Sequence, residues 1–283
     1  MFAIMGVTGK VGGAVARSLI AKGQQVRVIV RDSAKGEPWA AQGCEVAVAS
    51  LDDPEALATA FAGADGIFAM LPPIFNPSPD FAEAKAMIAT LRAAIDTARP
   101  SRLVVLSTIG ADAVQPNLLN QLAMLEAGLT GAAPRTTFLR AAWFMDNAAG
   151  DLADARTGTI HSHLQPTDRS IAMIASEDVG RTAVALLLES DAPAIVELEA
   201  ASRVSPEAIA AAYALALGHP VQAVAVPRDR WEAEFRAVGM TNPLPRMQMV
   251  DGFNQGWIDF TDGGARKGTM TIDEVIAGVV AAG

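Results

Sequence analysis

The sequence predicts an α/β protein: a doubly wound parallel sheet with helices on both faces, and a smaller mixed lobe toward the C-terminus. Three observations carry this. Short β-branched runs alternate with amphipathic helical stretches through the first half of the chain. The strand candidates are almost continuously apolar, as expected where both faces of a strand are covered. A glycine-punctuated turn follows the first run and opens the first helical stretch. At 283 residues, 51% of them hydrophobic, one large α/β domain, or one domain with a smaller appendage, is the natural size.

Taken in order, the strands are expected at Phe2–Met5, Gln25–Val30, Glu45–Val48, Gly66–Met70, Arg102–Leu106 and Thr136–Arg140. Between them lie helical stretches near residues 10–22, 34–42, 54–63, 80–98 and 117–130. Asp53-Pro54 reads as an N-cap followed by proline at the first helical position. Right-handed crossovers between successive parallel strands then give the doubly wound order. The pattern changes after about residue 145. Ser176-Glu177-Asp178 opens a helix through Leu188, Ile195–Leu198 is one more strand, and Ser205-Pro206-Glu207 starts a helix to about Leu217. Val221–Val226 is extended, and Arg228–Val238 places Trp231, Phe235 and Val238 at one-face helical spacing. The remainder is punctuated by proline and glycine, with Phe253, Trp257 and Phe260 close together. The expected division is residues 1–147 as a nucleotide-binding domain, completed by 170–200, and 148–283 as a smaller substrate-binding lobe over the carboxyl ends of the strands.

Composition closes several functional classes. A net charge of −9 argues against a nucleic-acid or anionic-membrane surface, which needs a dense patch of Lys and Arg. The one cysteine, Cys44, excludes a disulfide framework and a cysteine-based zinc site; at the start of strand three it reads as a small buried hydrophobe. No apolar run approaches the ~18 residues of a membrane span. The start of the chain has no basic segment before its apolar residues and is not expected to be a signal peptide. A cytoplasmic protein with a small-molecule substrate fits these counts, and a homodimer is left open.

Gly6-Val7-Thr8-Gly9-Lys10-Val11-Gly12 has the spacing G-x-x-G-x-x-G between a strand and a helix. Glycines there serve a tight turn, close approach of backbone N–H groups to a pyrophosphate, and close packing of helix on strand. The helix N-terminus adds free donors and partial positive charge. Out of context a plain tight turn suffices; in this βαβ context the motif points to a Rossmann dinucleotide site. Strand two ends in Val30-Arg31-Asp32, about 20 residues past the last glycine, where an acidic residue selects NAD or an arginine the 2′-phosphate of NADP. Arg31 comes first, so NADPH is expected in preference to NADH. Asp32 or Ser33 can serve simply as the N-cap of the stretch that follows.

On these residues the chain resembles the NmrA-like group of atypical short-chain dehydrogenase/reductases, which includes NAD(P)H:quinone oxidoreductase-like and azoreductase-like members. The likeness rests on the Gly6–Gly12 turn, Val30-Arg31-Asp32, Ser50-Leu51-Asp52-Asp53, the stretch Leu139 to Asn147, and Glu177-Asp178-Val179-Gly180-Arg181. Ser205 through Gly239 and Asp251 through Trp257 also look like the family, so nearly the whole chain is covered. The Arg-x-x-x-Phe-Met-x-Asn pattern from Arg140 to Asn147 is the more specific mark. The resemblance implies that Gly6, Thr8, Gly9, Lys10 and Val11 line the pyrophosphate. It puts Arg31 and Lys35 at the 2′-phosphate, and Leu51 and Asp52 at the adenine. Met70, Leu71 and Pro72 would flank the nicotinamide ribose, Ser107, Thr108 and Ile109 would lie under the nicotinamide, and Phe144 would help close the site. On the residues alone, Met70 and Leu71 also suit ordinary strand-end packing, and Asp52 may equally begin the next helix.

Most short-chain dehydrogenases use a Tyr-x-x-x-Lys pair as proton donor. The one tyrosine, Tyr213, is followed four residues on by Leu217 in an apolar helical stretch, so that pair does not exist in this chain. Where the family often carries a Lys or His before the Glu of the helix after strand five, the residues are Asn120-Gln121-Leu122-Ala123-Met124-Leu125-Glu126. Asn120 or Gln121 can donate a hydrogen bond, but no catalytic residue is assigned. His161 and His163 would share a face of a strand, yet acidic or cysteine partners at ligand spacing are lacking and no metal site is expected. Ser107 and Thr108 suit either a substrate carbonyl or backbone capping. Phe253, Trp257 and Phe260 suit either the core of the small lobe or an apolar wall for a flat substrate. The leading expectation is an NADPH-dependent oxidoreductase acting on a small planar acceptor such as a quinone. The rivals are a non-catalytic NAD(P) redox sensor acting through a protein partner, and an epimerase or isomerase, which the missing Tyr-Lys pair weakens.

Overall fold

A computed structural model of the chain describes residues 1–260 and 264–283. β1 (Phe2–Ile4), α1 (Lys10–Ala21), β2 (Val26–Val30), a 3-10 turn (Ser33–Lys35), α2 (Glu37–Ala40) and β3 (Glu45–Val48) form one half of the main sheet. α3 (Pro54–Phe61) crosses to β4 (Gly66–Ala69), followed by α4 (Ala82–Ala98), β5 (Arg102–Thr108), α5 (Asn120–Leu129) and β6 (Arg135–Ala141). Next come β7 (Trp143–Phe144), a 3-10 segment (Met145–Asp151), α6 (Leu152–Ala155), β8 (Thr159–Ser162) and β9 (Met173–Ile174). α7 (Ser176–Leu188) and β10 (Ile195–Ala200) return to the sheet. α8 (Pro206–Leu217), β11 (Gln222–Ala225), α9 (Trp231–Ala237), α10 (Leu244–Gln255), β12 (Arg266–Gly268) and α11 (Ile272–Ala282) follow.

The eight strands lie in the order β3-β2-β1-β4-β5-β6-β10-β12, every neighbouring pair parallel. The expected doubly wound sheet is therefore present. The order reverses between β1 and β4, which opens a crevice at the carboxyl ends of those two strands. Two small parallel pairs, β11 with β8 and β7 with β9, lie outside it. Alternation along β1 shows how the two faces are filled. Phe2 and Ile4 join a core with Val15 and Leu19 of α1 and Val179 of α7, while Ala3 joins the opposite core with Phe61 of α3 and Leu91 of α4. No described helix is long and apolar enough to cross a membrane.

Local differences from the sequence reading have identifiable causes. The stretch 34–42 is a 3-10 turn and a one-turn helix, split at Gly36, where an added Cβ would lie 2.4 Å from Val46. Phe81 takes a left-handed conformation, so α4 begins at Ala82. Residues 117–119 stay out of α5 because Asn117 Oδ1 accepts the Leu119 N–H and Asn120 Oδ1 accepts the Asn117 N–H. The punctuated C-terminal stretch holds two helices. Pro243 and Pro245 fall at the start of α10, where proline leaves no hydrogen bond unmade; Gly252 lets Trp257 and Ile258 pack on the helix; Gly256 supplies its left-handed end. α11 opens with a reciprocal capping box between Thr271 and Glu274.

Helix α7 is the hub that joins this C-terminal return to the N-terminal half. Gly180 lies so close to α1 that an added Cβ would stand 2.4 Å from Ala14 Cβ. Asp178, 3% exposed, accepts N–H groups of Thr269 and Met270 at 3.0 and 2.9 Å and is bonded by Arg181. Burial alone pushes the Asp178 carboxyl upward, but the N–H groups of Met270 and Thr269, with Arg181, outweigh it and hold it below the usual carboxylate range. The motif Glu177 to Arg181 thus has a structural function: glycine for helix packing, aspartate for a buried backbone clamp.

Replacing Asp178 with Ala leaves several donors unpaired and should cost roughly 3 kcal/mol at pH 7. Because the folded pKa is depressed, the carboxylate's contribution is full above the unfolded value of about 3.9 and is lost as pH falls through the folded value. Urea unfolding of wild type and variant should show a gap that is constant near neutrality and narrows below about pH 4. A gap unchanged into strong acid would contradict the charged clamp.

Candidate functional site

The glycine turn sits at the crevice. Gly6 has φ +70°, and an added Cβ would meet Met70 Sδ at 2.5 Å. A Cβ on Gly12 would stand 2.4 Å from the carbonyl oxygens of Met5 and Gly6, so α1 rests directly on the strand end. Gly9 differs. Its N–H bonds to Gly6 O at 2.9 Å, yet an added Cβ would touch only that oxygen, at an ordinary 3.4 Å. Packing explains glycine at 6 and 12; at 9 the cleared space faces outward. The first turn of α1 carries no side-chain cap and no acidic residue, and Thr8, Gly9 and Lys10 are exposed. Uncapped N–H groups at a helix start, with the macrodipole behind them, suit a phosphate. A cavity of about 400 Å³ adjoins them, lined by Val7, Thr8, Gly9, Lys10, Arg17, Asp146, Ser176 and Glu177. Val11, by contrast, buries its side chain in the core, so only its backbone can face an anion.

Asp146 links the two helix starts beside this cavity. Its Oδ2 accepts the Ser176 N–H at 2.7 Å, capping α7, and its Oδ1 lies 3.3 Å from Lys10 Nζ. Arg17 of α1 pairs with Glu177 of α7 at 3.3 Å. At the end of β2, Asp32 is occupied as the cap of the following turn, accepting the Ala34 N–H at 3.0 Å. Arg31 and Lys35 are exposed, and neither has an ion pair among the described residues. After β3, Asp53 caps α3 by accepting the Glu55 and Ala56 N–H groups, which leaves Asp52 exposed and Leu51 packed on the core edge.

Beyond β4 and β5 the expected residues share the same edge of the sheet but present different parts of themselves. Met70 packs against Gly6, Leu71 is buried and Pro72 half-buried. Thr108 is half-buried, whereas the Ile109 side chain enters the core and can offer a ligand only its backbone. Phe144 is half-buried in β7. Ser107 belongs to a polar network that sequence reasoning missed. Its hydroxyl donates to Glu126 Oε1 at 2.5 Å, and Arg140 grips Glu126 through Nε and Nη2 at 2.9 and 2.8 Å. Arg140 Nη1 also reaches Asp112 at 2.8 Å. Hydrogen bonding to Glu126 raises the Arg140 pKa against the opposing effect of burial. The available signal was Arg140 itself, a charge within the apolar run Phe138 to Ala142. Nearby, Gln121 donates to Ile74 O at 3.3 Å, while its buried Oε1 has no partner among the described residues.

The remaining candidates resolve into structure. Tyr213 is fully buried and donates to Ala148 O at 2.6 Å; burial, with Asp151 nearby, pushes its phenol up to about 12. It is a strut between α8 and the 3-10 segment. His161 lies 3.3 Å from Asp154, whereas His163 stacks against Phe235 and Trp231 and lies 3.3 Å from Glu234. Among the described residues there is no group of three or more His, Cys, Asp or Glu able to hold a metal. Phe253 and Phe260 are buried, with Trp143 packed edge-on against Phe253 at 5.1 Å. Cys44 is buried, and desolvation raises its thiol pKa.

The family model described as the NmrA-like family matches residues 1–257. The NAD(P)H azoreductase of Xenophilus azovorans is 27% identical over 254 residues, covering 86% of this chain and 83% of that protein. The NADPH-dependent quinone oxidoreductase of Escherichia coli, solved in complex with NADPH, superposes with a TM-score of 0.81 at 24% identity, over 99% of both chains. The triphenylmethane reductase of a Citrobacter species, complexed with NADP(H), gives 0.82 at 20% identity, over 99% of this chain and all of that one (100%). The structural matches establish the fold.

The Ser107–Glu126–Arg140 network generates a thermodynamic prediction. Glu126→Leu leaves Arg140 buried with only Asp112 and should cost about 3–5 kcal/mol, as removal of one member of a buried pair does. Glu126→Leu combined with Arg140→Leu should cost less than the sum of the two single changes by at least about 1 kcal/mol. Additive costs in a double-mutant cycle of denaturant unfolding would show that the two residues do not act as a unit.

Proposed function

We propose, from the premise that the chain belongs to the NmrA-like family, that it is an NADPH-dependent oxidoreductase delivering hydride to a small planar acceptor such as a quinone. The observation that carries this is the open cradle at Gly9 and the uncapped start of α1, with Arg31 exposed at the end of the next strand and without an ion pair among the described residues. Those residues fit a dinucleotide: backbone donors for the pyrophosphate and a free guanidinium for a 2′-phosphate. Asp32, the residue that would instead favour a free 2′-hydroxyl, is already a cap. The names of the azoreductase and the quinone oxidoreductase support the same reading.

In this reading Gly6, Thr8, Gly9, Lys10 and Val11 hold the pyrophosphate, Arg31 and Lys35 the 2′-phosphate, and Leu51 and Asp52 the adenine. Met70, Leu71, Pro72, Ser107, Thr108, Ile109 and Phe144 surround the nicotinamide. Residues 1–147, completed by 170–200, supply the cofactor domain, and 148–283 the acceptor lobe; the protein works in the cytoplasm. The bound reduced nicotinamide supplies hydride to the acceptor. The chain's own residues hold donor and acceptor in register and exclude water. Tyr213 is far too weak an acid to protonate the product, and the Ser107 proton is committed to Glu126. The proton that completes a hydroquinone therefore comes from solvent, which restricts acceptors to those whose reduced anion is stable enough to wait for it.

Fluorescence titration with NADPH and NADH tests the cofactor assignment. Arg31→Ala should weaken NADPH about 10-fold or more, the loss expected for one charge-assisted contact, while changing NADH little. An unchanged NADPH-to-NADH ratio would refute the role of Arg31. An acceptor panel followed by NADPH absorbance then decides the activity: oxidation with at least one quinone or azo compound is expected. Nucleotide binding without acceptor-dependent oxidation would make the chain a redox sensor instead.

A further inference from the structure

Arg246, in the first turn of α10, differs from the other half-buried arginines. Arg27 and Arg92 each pair with a carboxylate, Glu45 and Asp96, and Arg102 donates to Leu187 O. Arg246 is half-buried and, among the described residues, meets no carboxylate and makes no hydrogen bond; its close neighbours are aromatic rings. The guanidinium stands 4.7 Å from the Phe235 centroid and 5.4 Å from that of Phe75. Burial pushes its pKa down from the usual arginine value, and among the described residues no anion opposes this. Even so it remains a cation at neutral pH. Glu234, beside Phe235, is already engaged by Arg230 at 2.9 Å and approached by His163 at 3.3 Å.

Phe75 is the second unusual feature. Its ring is 52% exposed, yet its loop is pinned. Asn76 Oδ1 accepts the N–H groups of Thr241 and Asn242, Asn242 Nδ2 donates to Pro77 O, and Ile74 O accepts from Gln121. The start of α10 is tied to the loop after β5 by Leu118 N–H donating to Pro245 O at 2.9 Å. The ring and the cation thus stand together where the loops after β4 and β5 meet the C-terminal lobe, beside the strand ends assigned above to the nicotinamide. A rigid exposed ring offers stacking to a flat molecule. A partly desolvated guanidinium that meets no carboxylate among the described residues offers a charge-assisted, bidentate hydrogen bond to an oxyanion.

We propose that Arg246 and Phe75 form an outer acceptor subsite, and that the preferred acceptor is a planar aromatic compound carrying a carboxylate or sulfonate. This rests on the reading that the site reduces a planar acceptor, and it names the class of that acceptor. The ring system stacks on Phe75 while its oxyanion meets Arg246, which leaves the reducible part directed toward the strand ends. The subsite also selects against cationic aromatics, which Arg246 repels.

Two measurements test it. The first is turnover of 1,2-naphthoquinone against 1,2-naphthoquinone-4-sulfonate. The ratio of kcat/KM values should favour the sulfonate at least about 10-fold in wild type, fall about 10-fold through KM in Arg246→Gln, and be partly restored in Arg246→Lys. The second needs no turnover: calorimetric titration of 2-naphthalenesulfonate against 2-naphthol, with and without NADP⁺. Wild type should bind the sulfonate more tightly, and Arg246→Gln should lose that margin; Phe75→Leu, at an exposed position, should weaken both ligands. Equal affinity of wild type for the two ligands, or a margin that survives Arg246→Gln, overturns the proposal. If no acceptor is reduced, the oxidoreductase reading fails, while the sulfonate titration still decides the subsite.

Discussion

Everything at the candidate site depends on one backbone-on-backbone contact. Gly12 in α1 lies against the carbonyls of Met5 and Gly6 with no room for a single methyl group. That contact sets where the helix starts and aims its unpaired N–H groups across the crevice between β1 and β4. The next layer repeats the device: Gly180 brings α7 onto Ala14 of α1 with similarly little space. Because α7 rides on α1, Asp146 can cap Ser176 while reaching Lys10, and Asp178 can clamp the chain before α11. A side chain at Gly12 would lift α1 off the end of β1, and one at Gly180 would separate α7 from α1; either would displace both carboxylates, although neither glycine need touch a ligand.

The charges of this chain fall into two groups. One group is consumed by the fold: Glu126 by Arg140 and Ser107, Asp178 by backbone N–H groups, Asp32 and Asp53 by helix starts. The other group is left without carboxylate partners among the described residues, and it includes Arg31 and Arg246 at opposite ends of the proposed ligand path. Unpaired cations are costly where they are partly desolvated, so a fold that retains one without a partner has reserved it. Arg31 is exposed and costs little; Arg246 is half-buried and costs more. Lys10 falls between the groups, since its link to Asp146 is an exposed ion pair at 3.3 Å, weak enough for an anionic ligand to displace.

The sheet was legible because its signal is local. The apolar runs, the glycine turn after the first, and the caps Asp53-Pro54 and Ser205-Pro206 each lie within a few residues, and the structure places them as read. The C-terminal helices were not, because proline and glycine were read there as interruption. In α10 the prolines fall at the helix start and Gly252 is demanded by Trp257 and Ile258, a packing fact that no window of sequence displays. The Thr271–Glu274 capping box is a local signal of the kind that marks the earlier helices. Site residues divide in the same way. Arg31 and the glycines could be named from spacing, whereas Glu126, Arg140 and Arg246 acquire meaning only through partners or through lacking them. Arg140 and Arg246 carry the same charge on the same side chain, and only tertiary contacts reveal that one is spent.

The single tyrosine completes the chemical constraint. This chain uses its one phenol to hold Ala148 in the 3-10 segment that also contains Asp146. That phenol is a strut in α8, and at the end of β5 the Ser107 hydroxyl points at Glu126. A hydride acceptor that needs concerted protonation, such as an unactivated ketone, would meet a high barrier here, since its alkoxide is unstable without a donor. An extended conjugated acceptor spreads the incoming charge over its own framework and asks the protein only for placement. A flat exposed ring and a fixed cation supply placement and nothing else, so the missing donor and the presence of Phe75 and Arg246 point to the same kind of molecule.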